Sequence, residues 1–321
     1  MALNNLFTHK KILDEYLTAF LSEKKTALNG INSWGKESID RLLPFITAGK
    51  SVRGCLALFC YNMFAKSDQT KIALPIAASL ELIHAGALIH DDIMDQDDMR
   101  RHQKSMHRQF NQFSTDKHFG ESMAINIGDL CFFLAFEQFA TVNSPNIAKI
   151  ISLASREFTT VTVAQQFDVA SSYLSHESTK DEIISLYKTK TARYTFSLPL
   201  MMGGLLANTN DVTLKILETL GESIGILFQI RDDELSVIGD IAITGKPVGS
   251  DEKNRKQTLI HLYLQEENTT DYATSNARDR IQTIKKHYEN LAKQTLENLP
   301  IDTIYNQTLQ ELIVFCGTRE E

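Results

Sequence analysis

Asp91 and Asp95 stand four residues apart in IHDDIMDQDDMRR, residues 89–101, a stretch that holds five aspartates and closes on two adjacent arginines. On a helix this spacing stacks the two carboxylates on one face and turns Asp92 about 100° away. Stacked carboxylates repel unless a cation sits between them. A solvated helix end would tolerate that repulsion, but the run leading into it, LPIAASLELIHAGALIH at 74–90, is apolar nearly all round and reads as buried. It places Leu80, His84, Ala87, Leu88 and Asp91 along one face. The helix dipole also disfavours negative charge at a C-terminus. Residue types and spacing together point to a divalent metal ion held through oxygen.

A second acidic cluster closes another apolar run, GESIGILFQIRDDELSVIGD at 221–240. There Asp232, Ser236 and Asp240 follow at intervals of four, with Gln229 about one turn earlier. Two such clusters facing each other in a bundle would hold Mg²⁺, which keeps positions open for water or phosphate oxygens. Cations suited to phosphate accompany the motifs: Lys50 and Arg53 in GKSVR, Arg100 and Arg101, Lys188 and Lys190 in YKTKTA, Lys246 and Lys256 in TGKPVGSDEKNRK. Each alone reads as a solvated surface charge. Their recurrence beside acidic motifs points to diphosphate chemistry, with arginine suited to two-pronged phosphate contacts and the GKPVG loop able to bring Lys246 onto an anion.

The elements that must position these groups read as helices. Only 15 glycines and 6 prolines punctuate 321 residues, which leaves long stretches without a breaker. Residues 5–28, SPNIAKIISLASREFTTVTVAQQFDVA, TLKILETLGESIGILFQIRDDELSVI and residues 271–296 share the helical pattern, and no linker or repeat divides the chain. The expectation is one all-α domain over 1–321, a helical bundle around a central cavity, with 43% hydrophobic residues to fill its core. A net charge of −7 without a basic tract excludes a nucleic-acid binder. Cys55, Cys60, Cys131 and Cys316 lack CxxC spacing and read as buried hydrophobes in a reducing cytoplasm. No stretch is expected to reach the roughly 18 apolar residues of a membrane span.

Five separated motifs resemble those of the trans-isoprenyl diphosphate synthases, the polyprenyl synthetase family. GKSVR is similar to its GGKRLRP element, ELIHAGALIHDDIMDQDDMRR to its first aspartate-rich motif, and GDLCFFLAF to its GDxL helix. QQFDV and KTKTA resemble GQxxD and KTA, and FQIRDDELSVIGD with GKPVGSD and Lys256 resembles the second aspartate-rich motif and its lysine loop. The resemblance covers about Gly49 to Thr258. It implies that Asp91, Asp95 and Asp232 hold three Mg²⁺ ions on the diphosphate of an allylic substrate, which Arg100, Lys190 and Lys246 neutralise. Lys50, Arg53, His84 and Arg101 would hold isopentenyl diphosphate, and Thr191 and Gln229 would lie near the reacting carbons. Catalysis would then be electrostatic, in a water-excluded cavity. The resemblance also implies a homodimer.

The chain departs from the family pattern at several positions. Ser236 stands where the second motif has its last aspartate, Ser51, Val52 and Gly54 replace Arg, Leu and Pro, and Ala164 replaces a glycine. Asp232, Ser236 and Asp240 thereby approach the metal triad of class I terpene cyclases, although a cyclase has no use for Lys50, Arg53, His84 and Arg101. Glu81 and His84 match the ExxH spacing of di-iron bundles, which need two such elements. A non-catalytic synthase subunit would lack the aspartate motifs. For product length, Gly86 and Ala87 are small where family members that make farnesyl products carry bulky aromatics. The product tunnel is therefore expected to be open at that level and closed deeper by Phe132, Phe133 and Phe136, giving geranylgeranyl diphosphate, with longer polyprenyl products next.

Overall fold

The computed structural model describes residues 3–65, 70–101, 103–174, 177–238 and 257–319. The expected all-α class is borne out, since these residues form helices almost throughout. They gather into two compact units, Leu6–Ile147 and the described residues of Met1–Asn5 with Ala148–Glu321.

After α1 (Leu3–Phe7), whose residues divide between the two units, the first unit holds α2 (His9–Asn29), α3 (Ser33–Thr47), α4 (Val52–Phe64) and α5 (Thr70–Met94). Short α6 (Met106–Gln109) and long α7 (Lys117–Ala140) complete it. Helix α2 buries Leu13, Leu17 and Leu21, one stripe at intervals of four, while α4 and α5 are buried on nearly all faces. Helix α5 is therefore the central element of its unit. Within it Ser79 Oγ donates to Pro75 O at 2.8 Å and to Ala135 O on α7 at 3.0 Å.

Two corrections belong to this unit. A small antiparallel hairpin, Met99–Arg100 paired with Gln103–Lys104, follows the first aspartate cluster. Strands of two residues are too short to leave a periodic signal. By length and composition α5 and α7 also suffice to cross a membrane, against the expectation of no such segment. In this fold the two pack on each other, which covers much of α5's apolar surface.

In the second unit, α8 (Ile147–Tyr173) precedes α9 (Lys180–Leu186), whose Thr179 and Glu182 form a reciprocal capping box. Helix α9 runs without a break into an eleven-residue π-helix, Tyr187–Ser197, and on into α10 (Leu198–Leu206). Then come α11 (Asp211–Ile238), α12 (Leu259–Glu266), α13 (Asn276–Leu296) and α14 (Thr303–Thr318). Tyr187, Ala192, Ile226, Ile230, Leu259, Tyr263 and Ile281 share one core. The π-helix and α11 meet backbone to backbone, since a Cβ added at Gly225 would fall on Ala192 Cα.

Replacing a mid-helix glycine by alanine ordinarily stabilises by about 0.5–1 kcal/mol. At Gly225 the overlap with Ala192 wins, because overpacking a filled contact costs about 1–3 kcal/mol. Gly225→Ala is expected to lower unfolding free energy by about 1–2 kcal/mol in urea denaturation; a gain would show that the two helices can part.

Candidate active site

The first acidic cluster lies at the end of α5. Asp91 and Asp95 are both half-buried, and the Asp95 amide donates to Asp91 O at 2.8 Å, so Asp95 is carried on the last turn. Asp92 is 0% exposed. Arg100 Nε donates to its Oδ1 at 2.7 Å, Nη2 binds the same oxygen, and Nη2 also reaches Asp97 Oδ2 at 3.3 Å. Burial pushes the Asp92 carboxyl up to about 6, against the opposing pull of Arg100. Asp92, which helical spacing turns away from the Asp91–Asp95 face, thus fixes the guanidinium expected to meet a diphosphate. The signal was the pairing of a buried acid with an arginine eight residues later, on a turn that periodicity does not show.

Arg101 diverges from its neighbour. Its backbone is left-handed, with φ 51°, and its Nη1 donates to Phe45 O at 3.0 Å with the guanidinium 5.9 Å from that ring's centroid. Lys50 is exposed between α3 and α4, and Arg53 is half-buried in the first turn of α4. His84, two turns before Asp91, is held well below the ordinary histidine value of 6.5, first by burial and then by Arg53, Arg101 and Arg100. A neutral imidazole in a positive field is a hydrogen-bonding group placed where an anion is wanted. Glu81 has turned inward instead, and its Oε1 accepts the Gly54 N–H at 2.8 Å. Its ExxH partnership with His84 is therefore not an open metal site.

The residues expected to set product length divide. Gly86 is buried, and a Cβ there would lie 2.8 Å from Gly128 O and 2.8 Å from Phe132 Cε1. Its smallness admits α7 rather than leaving a void, which corrects the expectation of an open tunnel at that position. Phe132 occupies the adjoining space, edge-on to His90 at 5.6 Å, and Ala87 is half-buried. Phe133 is 69% exposed and Phe136 59% exposed. One residue turns a helix by about 100°, so Phe133 leaves the face that Phe132 presents to α5.

In the second unit the expected pair meets. Thr191 Oγ1 donates to Gln229 Oε1 at 2.7 Å, and Gln229 Nε2 donates to Asp233 Oδ1 at 2.9 Å. Tyr187 OH donates to the other oxygen of Asp233 and accepts the Leu259 amide at 3.0 Å. This chain of bonds ties the π-helix, α11 and α12 together, and neither Asp233 nor Tyr187 was singled out from sequence. Lys190 pairs with Asp168, the aspartate of QQFDV. Lys188 pairs with Glu222 at 2.9 Å.

Asp232 is matched by Arg319, whose Nη2 donates to Oδ1 at 2.6 Å. No sequence signal links residues 87 apart. Ser236 Oγ donates back to Asp232 O at 3.2 Å. Lys246, Lys256 and Asp240 lie outside the described residues. Among the described residues no three His, Cys, Asp or Glu side chains converge as a ready-made metal cage. The donors that the motifs do offer, Asp91 with Asp95 and Asp232, are carboxylates without soft ligands, which suits Mg²⁺. All four cysteines are buried, as expected.

The depressed His84 value has a consequence for stability. Below about 6.5 the unfolded chain takes up a proton at His84 that the folded chain refuses, so stability falls as pH falls through that region. In EDTA, the loss of unfolding free energy between about pH 7.5 and about pH 5.5 should be smaller in His84→Gln by about 1 kcal/mol. Parallel urea titrations check this; equal losses would place His84 in a solvated setting.

Comparison with known proteins agrees with the motifs. A family model for polyprenyl synthetases matches residues 36–298. The chain is 34% identical over 216 residues to the short chain isoprenyl diphosphate synthase of Methanocaldococcus jannaschii, covering 67% of this chain and 62% of that protein. It is 30% identical over 265 residues to the farnesyl diphosphate synthase of Bacillus subtilis, covering 77% and 84% respectively. Among solved structures, the geranylgeranyl pyrophosphate synthase of Corynebacterium glutamicum, complexed with isoprenyl diphosphate and magnesium, superposes with a TM-score of 0.90. Identity there is 26%, covering 98% of this chain and 99% of that one.

Proposed function

The chain belongs to the polyprenyl synthetase family, and on that premise we propose that it is a Mg²⁺-dependent trans-prenyltransferase. It joins isopentenyl diphosphate to an allylic diphosphate, dimethylallyl, geranyl or farnesyl, and its product is geranylgeranyl diphosphate. The observation that carries this reading is the charge arrangement around α5. A neutral His84 sits in the field of Arg53, Arg100 and Arg101, two turns from the Asp91–Asp95 pair on the same helix. Cations beside paired carboxylates suit a diphosphate together with its metal.

Asp91, Asp95 and Asp232 would hold the Mg²⁺ ions, three per site. Bound there, the metal would neutralise charge developing on the departing diphosphate. His84, Arg53, Arg101 and Lys50 hold isopentenyl diphosphate, and Arg100, fixed by Asp92, faces the allylic diphosphate. Thr191 and Gln229 present fixed dipoles toward the reacting carbons. The allylic carbon–oxygen bond breaks, the isopentenyl double bond supplies electrons for the new carbon–carbon bond, and the released diphosphate takes the proton that is lost. A cytoplasmic homodimer with one catalytic domain over residues 1–321 completes the proposal.

The reaction is tested by resolving products from the protein, Mg²⁺, isopentenyl diphosphate and an allylic diphosphate. Elongation supports the synthase, a cyclic hydrocarbon the cyclase alternative, and no turnover a non-enzymatic bundle. Asp91→Ala should lower turnover by at least about a hundredfold while leaving the circular dichroism spectrum unchanged; full activity would remove Asp91 from the metal site.

Chain length has its own test. Phe132 fills the space that Gly86 leaves, and Ala87 is the next residue along α5. Phe132→Ala should shift products beyond geranylgeranyl diphosphate, and Ala87→Phe should shorten them. An unchanged distribution in both variants would place the end of the product elsewhere.

A further inference from the structure

Asp232 is the candidate metal ligand of the second unit, and the described structure gives it a cation of the chain's own. Arg319 follows directly after α14, and its Nη2 donates to Asp232 Oδ1 at 2.6 Å. Three further features show that this arginine is seated rather than resting on the surface. Its guanidinium lies 4.0 Å from the centroid of the Phe228 ring, one turn before Asp232. Its carbonyl accepts Arg231 Nε at 2.8 Å, which ties the backbone at 319 to the same helix. Its side chain is only 9% exposed, while that of Asp232 is 47% exposed.

The electrostatic reason is local. Asp232, Asp233 and Glu234 are consecutive in the last two turns of α11, where the helix dipole adds to their mutual repulsion. Glu234 is met by Arg231, Lys285, Tyr272 and Gln282, and Asp233 by Tyr187 and Gln229. Asp232 is the one of the three whose carboxylate still faces solvent. A divalent ion approaching that carboxylate meets an oxygen already engaged by a guanidinium.

We propose that Arg319 is a resident counter-ion of Asp232, which a divalent metal must displace, so that metal loading releases Arg319 from α11. The inference rests on the reading of Asp232 as a metal ligand and adds a competitor to it. Ser236 makes the competition matter more, since the usual last carboxylate of the motif is absent and its hydroxyl is bonded to the Asp232 carbonyl. The same pairing keeps the acidic end of α11 neutralised in metal-free protein.

The test is Mn²⁺ titration of the full chain, followed by electron paramagnetic resonance of free Mn²⁺, for wild type, Arg319→Gln, Asp232→Asn and the double variant. A partly exposed ion pair of this kind is expected to weaken metal binding by about twofold to fivefold. Arg319→Gln should therefore bind Mn²⁺ that much more tightly, and the gain should vanish when Asp232→Asn is added. Amide hydrogen exchange adds a readout independent of any variant: saturating Mn²⁺ should speed exchange at residues 315–319 of the wild type. Equal Mn²⁺ affinity in wild type and Arg319→Gln, with no change in exchange, overturns the proposal while leaving the metal reading standing. Weaker binding in Arg319→Gln also overturns it, because the arginine would then assist the site. Absence of Mn²⁺ binding in every protein would overturn the metal reading itself, and this inference with it.

Discussion

A carboxylate at the end of a buried apolar helix is tolerable only if a cation or a set of donors meets it. Each acidic cluster in this chain is organised by that constraint. At the end of α5 the fully buried Asp92 takes Arg100, and the hairpin at 99–104 exists at the place where that arginine must fold back. At the end of α11 the buried Glu234 takes Lys285, Arg231, Tyr272 and Gln282, while Asp233 takes Tyr187 and Gln229. These are neutralised within the protein. Breaking such a buried pair from one side costs about 3–5 kcal/mol, so they serve as fixed structure. Pairs that face solvent are worth about 0–1 kcal/mol and can be exchanged for a ligand. The division between fixed and exchangeable acids follows burial: Asp92 and Glu234 are closed in, whereas Asp91, Asp95 and Asp232 retain access to solvent.

The scaffold beneath those acids depends on close helix approach. The contact of α5 with α7 at Gly86 and of α11 with the π-helix at Gly225 each bring backbone against backbone. The second contact carries chemistry directly, because Lys190 and Thr191 lie in the π-helix and Gln229 lies one turn beyond Gly225 on α11. A wider helix changes which residues share a face, and π segments occur often at functional sites for that reason. Here it sets Thr191 against Gln229 while turning Lys190 toward Asp168 on α8.

Much of this was legible in the residues. Long apolar runs with few glycines or prolines marked α5, α8 and α11, and the spacing of Asp91 and Asp95 placed both on the last turn of one helix. The Thr191–Gln229 pair was placed near one locus by resemblance and is joined by a hydrogen bond. What stayed hidden has identifiable causes. A hairpin of two-residue strands has no periodicity, and YKTKTARYTFS has nothing that separates a π-helix from an α-helix. Gly86 was misread because a small residue serves equally for a void and for a tight contact, and only the neighbouring helix decides between them. Arg319 could not be paired with Asp232 because the pair is made by tertiary packing across 87 residues.

The departures from the family pattern take on meaning at this level. Gly54 stands where the family has proline, and its amide is the donor that Glu81 accepts at 2.8 Å in a buried setting. Proline would remove that donor, and a buried carboxylate oxygen left without one costs about 1–3 kcal/mol or more. Burial still holds the Glu81 carboxyl above the ordinary glutamate value, with the Gly54 amide, Arg53 and Arg101 pulling the other way. A carboxylate seated between α4 and α5 also offers Arg53 and Arg101 a counter-charge from inside the unit. Glycine at 54 and glutamate at 81 are therefore one local solution: the amide satisfies the acid, and the acid offsets the repulsion of two arginines gathered for an anion.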